Sequence, residues 1–295
     1  NDTLKPKKNK YIWLFWLKVL IMYHWDNNIL KEIFMYKKII SLLFLVALVC
    51  CGCAKKSNEP VENNLDTIIK RDQIIVGVKT DTYPFGYKDE KGHYAGYDAA
   101  LSRLIARGIL GSDKKVIFVP VTASDRMMKL YSGDVDMIIA TMSITPNRKE
   151  ILDFSTPYHT AGQALLVNKG SNVKSLKDLS GKRAIIVFGS TSEKTLKTAI
   201  PNVGVIGYKT YPDAYKALKD HKGDAIVSDD TILLGLSLKD NSVELLPKRY
   251  TKEPYAVAFR KGAESKDLIH AVNNVIEIET KNGHLKTIAK SFGIK

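Results

Sequence analysis

Nine consecutive residues, Ala140-Thr141-Met142-Ser143-Ile144-Thr145-Pro146-Asn147-Arg148, have the side-chain types that hold a carboxylate. Thr141 and Ser143 supply hydroxyls. Arg148 supplies a guanidinium fork that donates two parallel charge-assisted hydrogen bonds to a planar anion. The preceding run, Val135-Asp136-Met137-Ile138-Ile139, reads as a buried strand. The hydroxyls and the guanidinium therefore arrive at the carboxyl end of a strand, where open α/β sheets hold their ligands. Taken alone, the stretch fits equally well a surface turn opened by Pro146, with Arg148 in a solvated ion pair.

Four more positions bear on that choice. Gly189-Ser190-Thr191 lies between a predicted strand and a predicted helix. The first turn of a helix leaves N–H groups unpaired and carries partial positive charge, so it suits an anion, and Thr191 adds a hydroxyl. Ser or Thr at that place is also the common helix cap. Asp229 ends an apolar run, where its carboxylate can pair with an ammonium group; the competing reading is a helix cap, a role open to Asp230 as well. Lys79 leaves the first predicted strand, and Arg126 begins the helix after the second. A cation at a helix start opposes the helix dipole, so Arg126 is favoured there by a nearby anion. A solvated surface charge is the plainer reading of each taken singly.

No set of residues for covalent or metal chemistry accompanies them. Ser190 has no evident His partner and Gly-x-Ser-x-Gly is absent. The six His are scattered, none of them in a His-x-x-x-His pair, and no phosphate-binding Gly-Lys-Ser/Thr loop occurs. The expectation is a binding protein, not an enzyme, with no metal and no cofactor.

The elements that position these residues follow an alternating order. Ile74–Val78 reads as the first strand and leads into the turn-rich loop Lys79–Gly86; Gly92 and Gly96 flank a hairpin. Asp98 is expected to cap a helix with Leu101, Leu104, Ile105 and Ile109 as its buried stripe. Val116–Val119 is a strand, Ser124 or Asp125 starts a helix, and Gly133 ends it. After Gln163–Val167 and a short helix at Ser175–Leu179, the order repeats. Strands at Ala184–Phe188, Val205–Tyr208 and Asp224–Val227 are each followed by a helix. This is βαβα order, hence parallel sheets covered by helices. Tyr255–Phe259 reads as a late strand crossing back to the first lobe, and two helices close the chain, with Gly283 between them.

The chain has 295 residues and 45% apolar content, the profile of a folded soluble protein. The net charge is +14. The Lys residues are scattered without a basic, aromatic-interleaved block, which argues against nucleic acid. All three cysteines, Cys50, Cys51 and Cys53, fall within four positions. They lack the second ligand pair of a zinc site, and a single lipid-bearing Cys explains them better. Met35-Tyr36-Lys37-Lys38 and the apolar run Ile39–Val49 form the charged and hydrophobic regions of an export signal. The segment resembles a bacterial lipoprotein signal, with Cys53 as the preferred lipidated residue and Cys51 close behind. Residues 1–34 are expected to be a non-native upstream extension, 35–53 the signal and lipobox, and 54–65 a flexible tether.

Residues 74–295 resemble the bacterial extracellular solute-binding proteins, family 3, of polar amino-acid ABC transporters. The resemblance rests on Gly77-Val78-Lys79-Thr80-Asp81-x-x-Pro84-Phe85-Gly86, Gly96-Tyr97-Asp98, Ala140 through Arg148, Phe154-Ser155-x-Pro157-Tyr158, Leu176-x-Asp178-Leu179-x-Gly181-Lys182, Gly189-Ser190-Thr191, Asp229-Asp230-x-Ile232-Leu233-x-Gly235 and Glu253-Pro254-Tyr255. It implies a periplasmic-binding-protein-like type II α/β fold, with residues 66–163 and 256–295 as lobe 1 and 164–255 as lobe 2. Two crossing strands join the lobes and the ligand closes between them. It implies that Arg148 holds a ligand's α-carboxylate with Thr141, Ser143 and Thr191 assisting, and that Asp229 takes the α-ammonium.

Within the family the resemblance is to glutamate/aspartate binders, in which Lys79 and Arg126 would contact the side-chain carboxylate. Three cations facing one carboxylate suit a zwitterion with an extra acid. Ala123 cannot provide the stacking surface that members binding Lys, Arg or His commonly have. Thr141-Met142-Ser143 and Ala256 stand where the subgroup more often has Thr-Phe-Thr and Gly; Ser143 keeps the hydroxyl but loosens the wall, which leaves glutamine or another polar amino acid open. The implied protein is a monomeric, lipid-anchored, extracytoplasmic receptor that delivers its ligand to a membrane permease. Two rivals on the same fold are a cyclohexadienyl dehydratase, which needs a cleft acid beyond Asp229, and a sensory module, which needs a signalling domain.

Overall fold

A computed structural model describes residues 14–20, 63–238 and 240–294. The chain divides into two compact units, Asn1–Pro60 and Val61–Lys295. In the first, residues 14–20 are helical. The expected signal peptide, the lipidated Cys53 and most of the tether lie outside the described residues. The helix Asn64–Arg71 takes in the last two residues of the expected tether, with the Asn63 side chain accepting from the Asp66 N–H as its cap.

Everything else belongs to the second unit, which is built on two five-stranded sheets. In lobe 1 the strand order is Val116–Pro120, Ile74–Val78, Met137–Ile138, Ala258–Arg260, Leu152–Phe154. The first three run parallel, and Ala258–Arg260 pairs antiparallel with both its neighbours. In lobe 2 the order is Gly204–Tyr208, Arg183–Val187, Ala225–Asp229, Gln163–Asn168, Val243–Leu245. Again three strands are parallel, and Gln163–Asn168 pairs antiparallel with both its neighbours, Ala225–Asp229 and Val243–Leu245. Each sheet is apolar on both faces because helices cover both, which is why its strands read as continuous apolar runs. In lobe 1, Leu101, Ile105, Val272 and Leu268 are fully buried on one face, while Leu130, Val135 and Ile138 are buried on the other. Each such side chain contributes about 1.5–3 kcal/mol relative to exposure. In lobe 2 the two faces are filled by Ile185, Ile226 and Leu218, and by Leu165, Ile186 and Leu196.

The chain passes between lobes through a two-stranded antiparallel ribbon, His159–Ala161 against Glu253–Tyr255. Tyr255 is therefore in the connection and not in a lobe sheet; the late strand expected at Tyr255–Phe259 is two short strands, Glu253–Tyr255 and Ala258–Arg260.

Other boundaries moved in informative ways. The expected five-residue strand before Ala140 keeps ladder pairing only at Met137–Ile138, although the Ile139 N–H still donates to the Gly77 carbonyl at 3.0 Å. Asp98 does not cap its helix. The helix runs Tyr97–Leu110 with Gly96 in the cap position at φ 100°. Asp98 is fully buried and turned towards the end of the central strand. The small residue Gly96 took the cap because the incoming hairpin requires positive φ there.

Candidate functional site

Lys79, Arg126, Thr141, Ser143 and Arg148 from lobe 1, and Thr191 and Asp229 from lobe 2, line one cleft between the lobes. All seven residues selected from sequence are thus brought together. The cleft is also walled by Ala123, Ser190, Tyr211 and Ile232 and holds a cavity of only about 10 Å³, about the space of one water. The two lobes are thus shut against each other at this cleft.

Its lobe 1 wall is built around a backbone outlier. Thr141 has φ 45°, a costly conformation for a β-branched residue. The Asp98 carboxylate holds it there by accepting from the Thr141 N–H at 3.0 Å, and Asp98 also accepts from the Tyr158 hydroxyl at 2.9 Å. The Thr141 hydroxyl accepts from Lys79 Nζ at 2.7 Å. One carboxylate beneath the wall thus fixes the residue that orients the Lys79 ammonium. Burial pushes the Asp98 carboxyl up to about 6, and burial together with the Arg126 charge pulls the Lys79 ammonium down to about 7.

The two arginines have distinct settings. Arg126 opens the helix Arg126–Tyr131 and is 2% exposed. Its Nη1 donates to the Ala140 carbonyl at 2.5 Å and to the Thr141 carbonyl at 3.3 Å, and its Nη2 reaches the Gly189 carbonyl of lobe 2 at 3.4 Å. Its Nε is a buried donor without a protein partner among the described residues. Burial, with the Arg148 charge next, lowers its affinity for a proton, yet at about 9 it stays charged near neutral pH. Arg148 lies in the short helix Pro146–Ile151, which Thr145 caps by accepting from the Arg148 N–H. Its Nη1 donates to the Ser143 carbonyl at 2.8 Å, and its Nη2 donates across the cleft to the Gly189 carbonyl at 2.9 Å. Three of its five donors remain for an anion.

On lobe 2 the capping readings of Thr191 and Asp229 do not hold. Each occupies a helix cap position, and neither side chain caps. Thr191 Oγ1 instead accepts from Gln163 Nε2 at 3.1 Å. Asp229 accepts from the same Gln163 amide and from the Tyr255 hydroxyl. Burial, then the Glu253 charge, raises the Asp229 carboxyl to about 6. Its remaining lone pairs are open to an ammonium donor.

Sequence reasoning missed Tyr211, Gln163 and Tyr255. Tyr211 sits at the first position of the helix Tyr211–Lys219, and its ring lies 5.0 Å from Lys79 Nζ. It provides the aromatic wall that Ala123 cannot. Its place after a strand end, like that of Thr191, was the available signal. Gln163 and Tyr255 lie within strands, where period and hydropathy mark only burial. Among the described residues no group of His, Cys, Asp or Glu is placed to hold a metal ion.

The family model for bacterial extracellular solute-binding proteins, family 3, matches residues 74–295. The ABC transporter glutamine-binding protein of Bacillus subtilis is 37% identical over 269 residues, covering 89% of this chain and 97% of that protein. The cysteine-binding protein from Campylobacter jejuni superposes with a TM-score of 0.75 at 33% identity, covering 78% of this chain and 92% of that one. An ancestral arginine-binding protein bound to glutamine gives a TM-score of 0.70 at 36% identity, covering 75% of this chain and 98% of that one. The expected tie to glutamate/aspartate binders is the weaker one. A glutamate/aspartate import solute-binding protein of Salmonella typhimurium is 27% identical over 210 residues, 68% of this chain and 70% of that protein. Relatives with such names are binding proteins, not enzymes.

Proposed function

The chain belongs to the bacterial extracellular solute-binding proteins, family 3, and from that premise we propose that it is the receptor of an amino-acid ABC importer with glutamine as its ligand. Arg148, assisted by Thr141, Ser143 and Thr191, holds the α-carboxylate. Asp229 holds the α-ammonium. Lys79 and the unpartnered Nε–H of Arg126 donate to the side-chain oxygen. The ligand bridges half-sites on the two lobes and so stabilises the closed form, which the permease recognises. A lipid on Cys53 keeps the receptor at the outer face of the membrane.

The observation that carries this reading is the convergence of seven residues from two lobes on one cleft, in a chain 37% identical to a glutamine-binding protein. The state of the cations favours an amide over a second carboxylate. Arg126 already spends its fork on three backbone carbonyls. Burial and the Arg126 charge pull the Lys79 ammonium down to about 7 in this cleft, so holding it charged there costs free energy. A buried carboxylate needs full, free positive charge to offset its desolvation, whereas an amide needs only donors and acceptors.

A second reading, glutamate or aspartate, keeps one observation in its favour: Lys79, Arg126 and Arg148 face a single lining carboxylate, Asp229. Titration calorimetry with glutamine, glutamate, aspartate, arginine and cystine decides between them. Glutamine binding tightest supports the proposal. Tightest binding of glutamate transfers the site to the second reading, and no binding of any amino acid removes both.

A further inference from the structure

Gly235 closes the motif that begins at Asp229, yet it does not line the cleft. It is buried within the lobe 2 helix Asp230–Ser237. A Cβ placed on it would lie 2.0 Å from the Tyr83 carbonyl oxygen and 2.8 Å from the Tyr83 carbonyl carbon, and the third-nearest atom, at 3.3 Å, is also of Tyr83. Tyr83 belongs to lobe 1, between the strands Asp81–Thr82 and Gly86–Lys88. The space beside Gly235 is therefore filled by the other lobe's backbone, which no change of rotamer relieves. Glycine is a poor helix residue, so the helix itself gives no reason for it. Two residues before Tyr83, Asp81 Oδ2 accepts from the Tyr211 N–H at 3.3 Å. A lobe 1 carboxylate thus sits at the start of the lobe 2 helix Tyr211–Lys219, where the helix dipole favours it.

We infer that Gly235, with the Asp81–Tyr83 loop, is a seat for lobe closure: a contact made when the lobes shut, set apart from the ligand and required for its capture. The inference rests on the reading that the lobes close around a ligand. Gly235 is a positioning residue. Its missing side chain sets how far the lobes can close and hence whether Arg148 and Asp229 reach one ligand together.

The test compares the full chain with its Gly235→Ala variant by glutamine titration and by hydrogen–deuterium exchange over segments 81–86 and 230–237. The variant should melt at or above the wild-type temperature without ligand, since alanine suits a helix better. It should bind glutamine about tenfold or more weaker, because the closed population falls, and lose the glutamine-induced protection at 81–86. Wild-type affinity with wild-type protection overturns the inference. Should the variant melt lower without ligand, Asp81→Ala takes its place; it must weaken glutamine binding in the same direction, and unchanged binding overturns the seat. Should the wild type bind no amino acid, the transport reading fails. The seat is then judged on exchange without ligand, where faster exchange of 81–86 in Gly235→Ala sustains it and equal exchange overturns it.

Discussion

Arg148 Nη2 donates to the carbonyl of Gly189 at 2.9 Å, from one lobe to the other. The same carbonyl accepts from Arg126 at 3.4 Å, so two guanidinium groups converge on one backbone oxygen of the opposite lobe. Gly189 has φ 77°, and a Cβ there would fall 2.3 Å from the Ala123 carbonyl oxygen. A larger residue would thus separate this oxygen from both arginines.

Arg148→Ala should abolish detectable binding of every amino acid. It removes the cation facing a buried carboxylate, a loss of about 3–5 kcal/mol, or more than about a hundredfold in affinity. The melting temperature without ligand should change little, because Arg148 is half-buried and its protein partners are the carbonyls of Ser143 and Gly189. Calorimetry and thermal melting check the two halves of this expectation.

Arg126→Ala should lower affinity for glutamine and glutamate alike, and lower stability as well. It strips hydrogen bonds from the carbonyls of Ala140, Thr141 and Gly189, and each buried acceptor left unpaired costs about 1–3 kcal/mol. Urea unfolding and paired titrations measure both. Loss of glutamate binding alone would favour the second reading, with Arg126 on a side-chain carboxylate instead of an amide oxygen.

Glutamine binding should release a proton in mildly alkaline buffer. Opening the cleft to water would let Lys79 rise towards its ordinary 10.5, whereas burial and the Arg126 charge bring it to about 7 in the shut cleft. The closed state therefore binds fewer protons between these values, and affinity for a neutral-side-chain ligand rises with pH across that window. A glutamate carboxylate beside Lys79 would hold the proton in place and cancel the release. Titrations at pH 8.5 in buffers of different ionisation enthalpy distinguish the two, and Lys79→Met should abolish the effect.

Without ligand, a buried carboxyl gives stability the opposite slope at lower pH. Asp98, which lies beneath the lobe 1 wall and whose carboxylate accepts from the Thr141 N–H and the Tyr158 hydroxyl, rises from 3.8 to about 6 on burial. The folded protein holds more protons than the unfolded chain between those values, so this group makes stability fall as pH climbs through that interval. Urea midpoints between pH 4 and 6.5 should show the decline, and Asp98→Asn should flatten it.

Tyr255→Phe should weaken binding about tenfold while preserving the fold. The hydroxyl donates to Asp229 at 2.5 Å, and a hydrogen bond to a charged group is worth about 1.5–3 kcal/mol. The ring keeps its packing against Phe85, 5.5 Å away. A titration and a melting curve suffice.

The legible part of this site was the part written as punctuation at strand ends. Thr141, Arg148, Thr191 and Asp229 follow apolar runs, and chain polarity alone delivers such residues to one edge of a sheet. Asp98 was misjudged because its local setting, two residues past Gly96 and ahead of an apolar helical stripe, matches a cap. Its partners, Thr141 and Tyr158, are 43 and 60 residues away in sequence, and no short-range pattern encodes that. Gln163 and Tyr255 were hidden for the same reason. The expected ligand class rests on the resemblance, with a count of cations in agreement, and neither shows that Arg126 is already engaged by three carbonyls.

The ribbon joining the lobes contains Tyr255, whose hydroxyl is bonded to Asp229. On the proposed reading, the seat for an incoming amine is thereby bolted to the pivot itself and would travel least when the two halves part. An amino acid would then moor its nitrogen at nearly the same address before and after capture, while the oxygen-gripping side swings in to meet it.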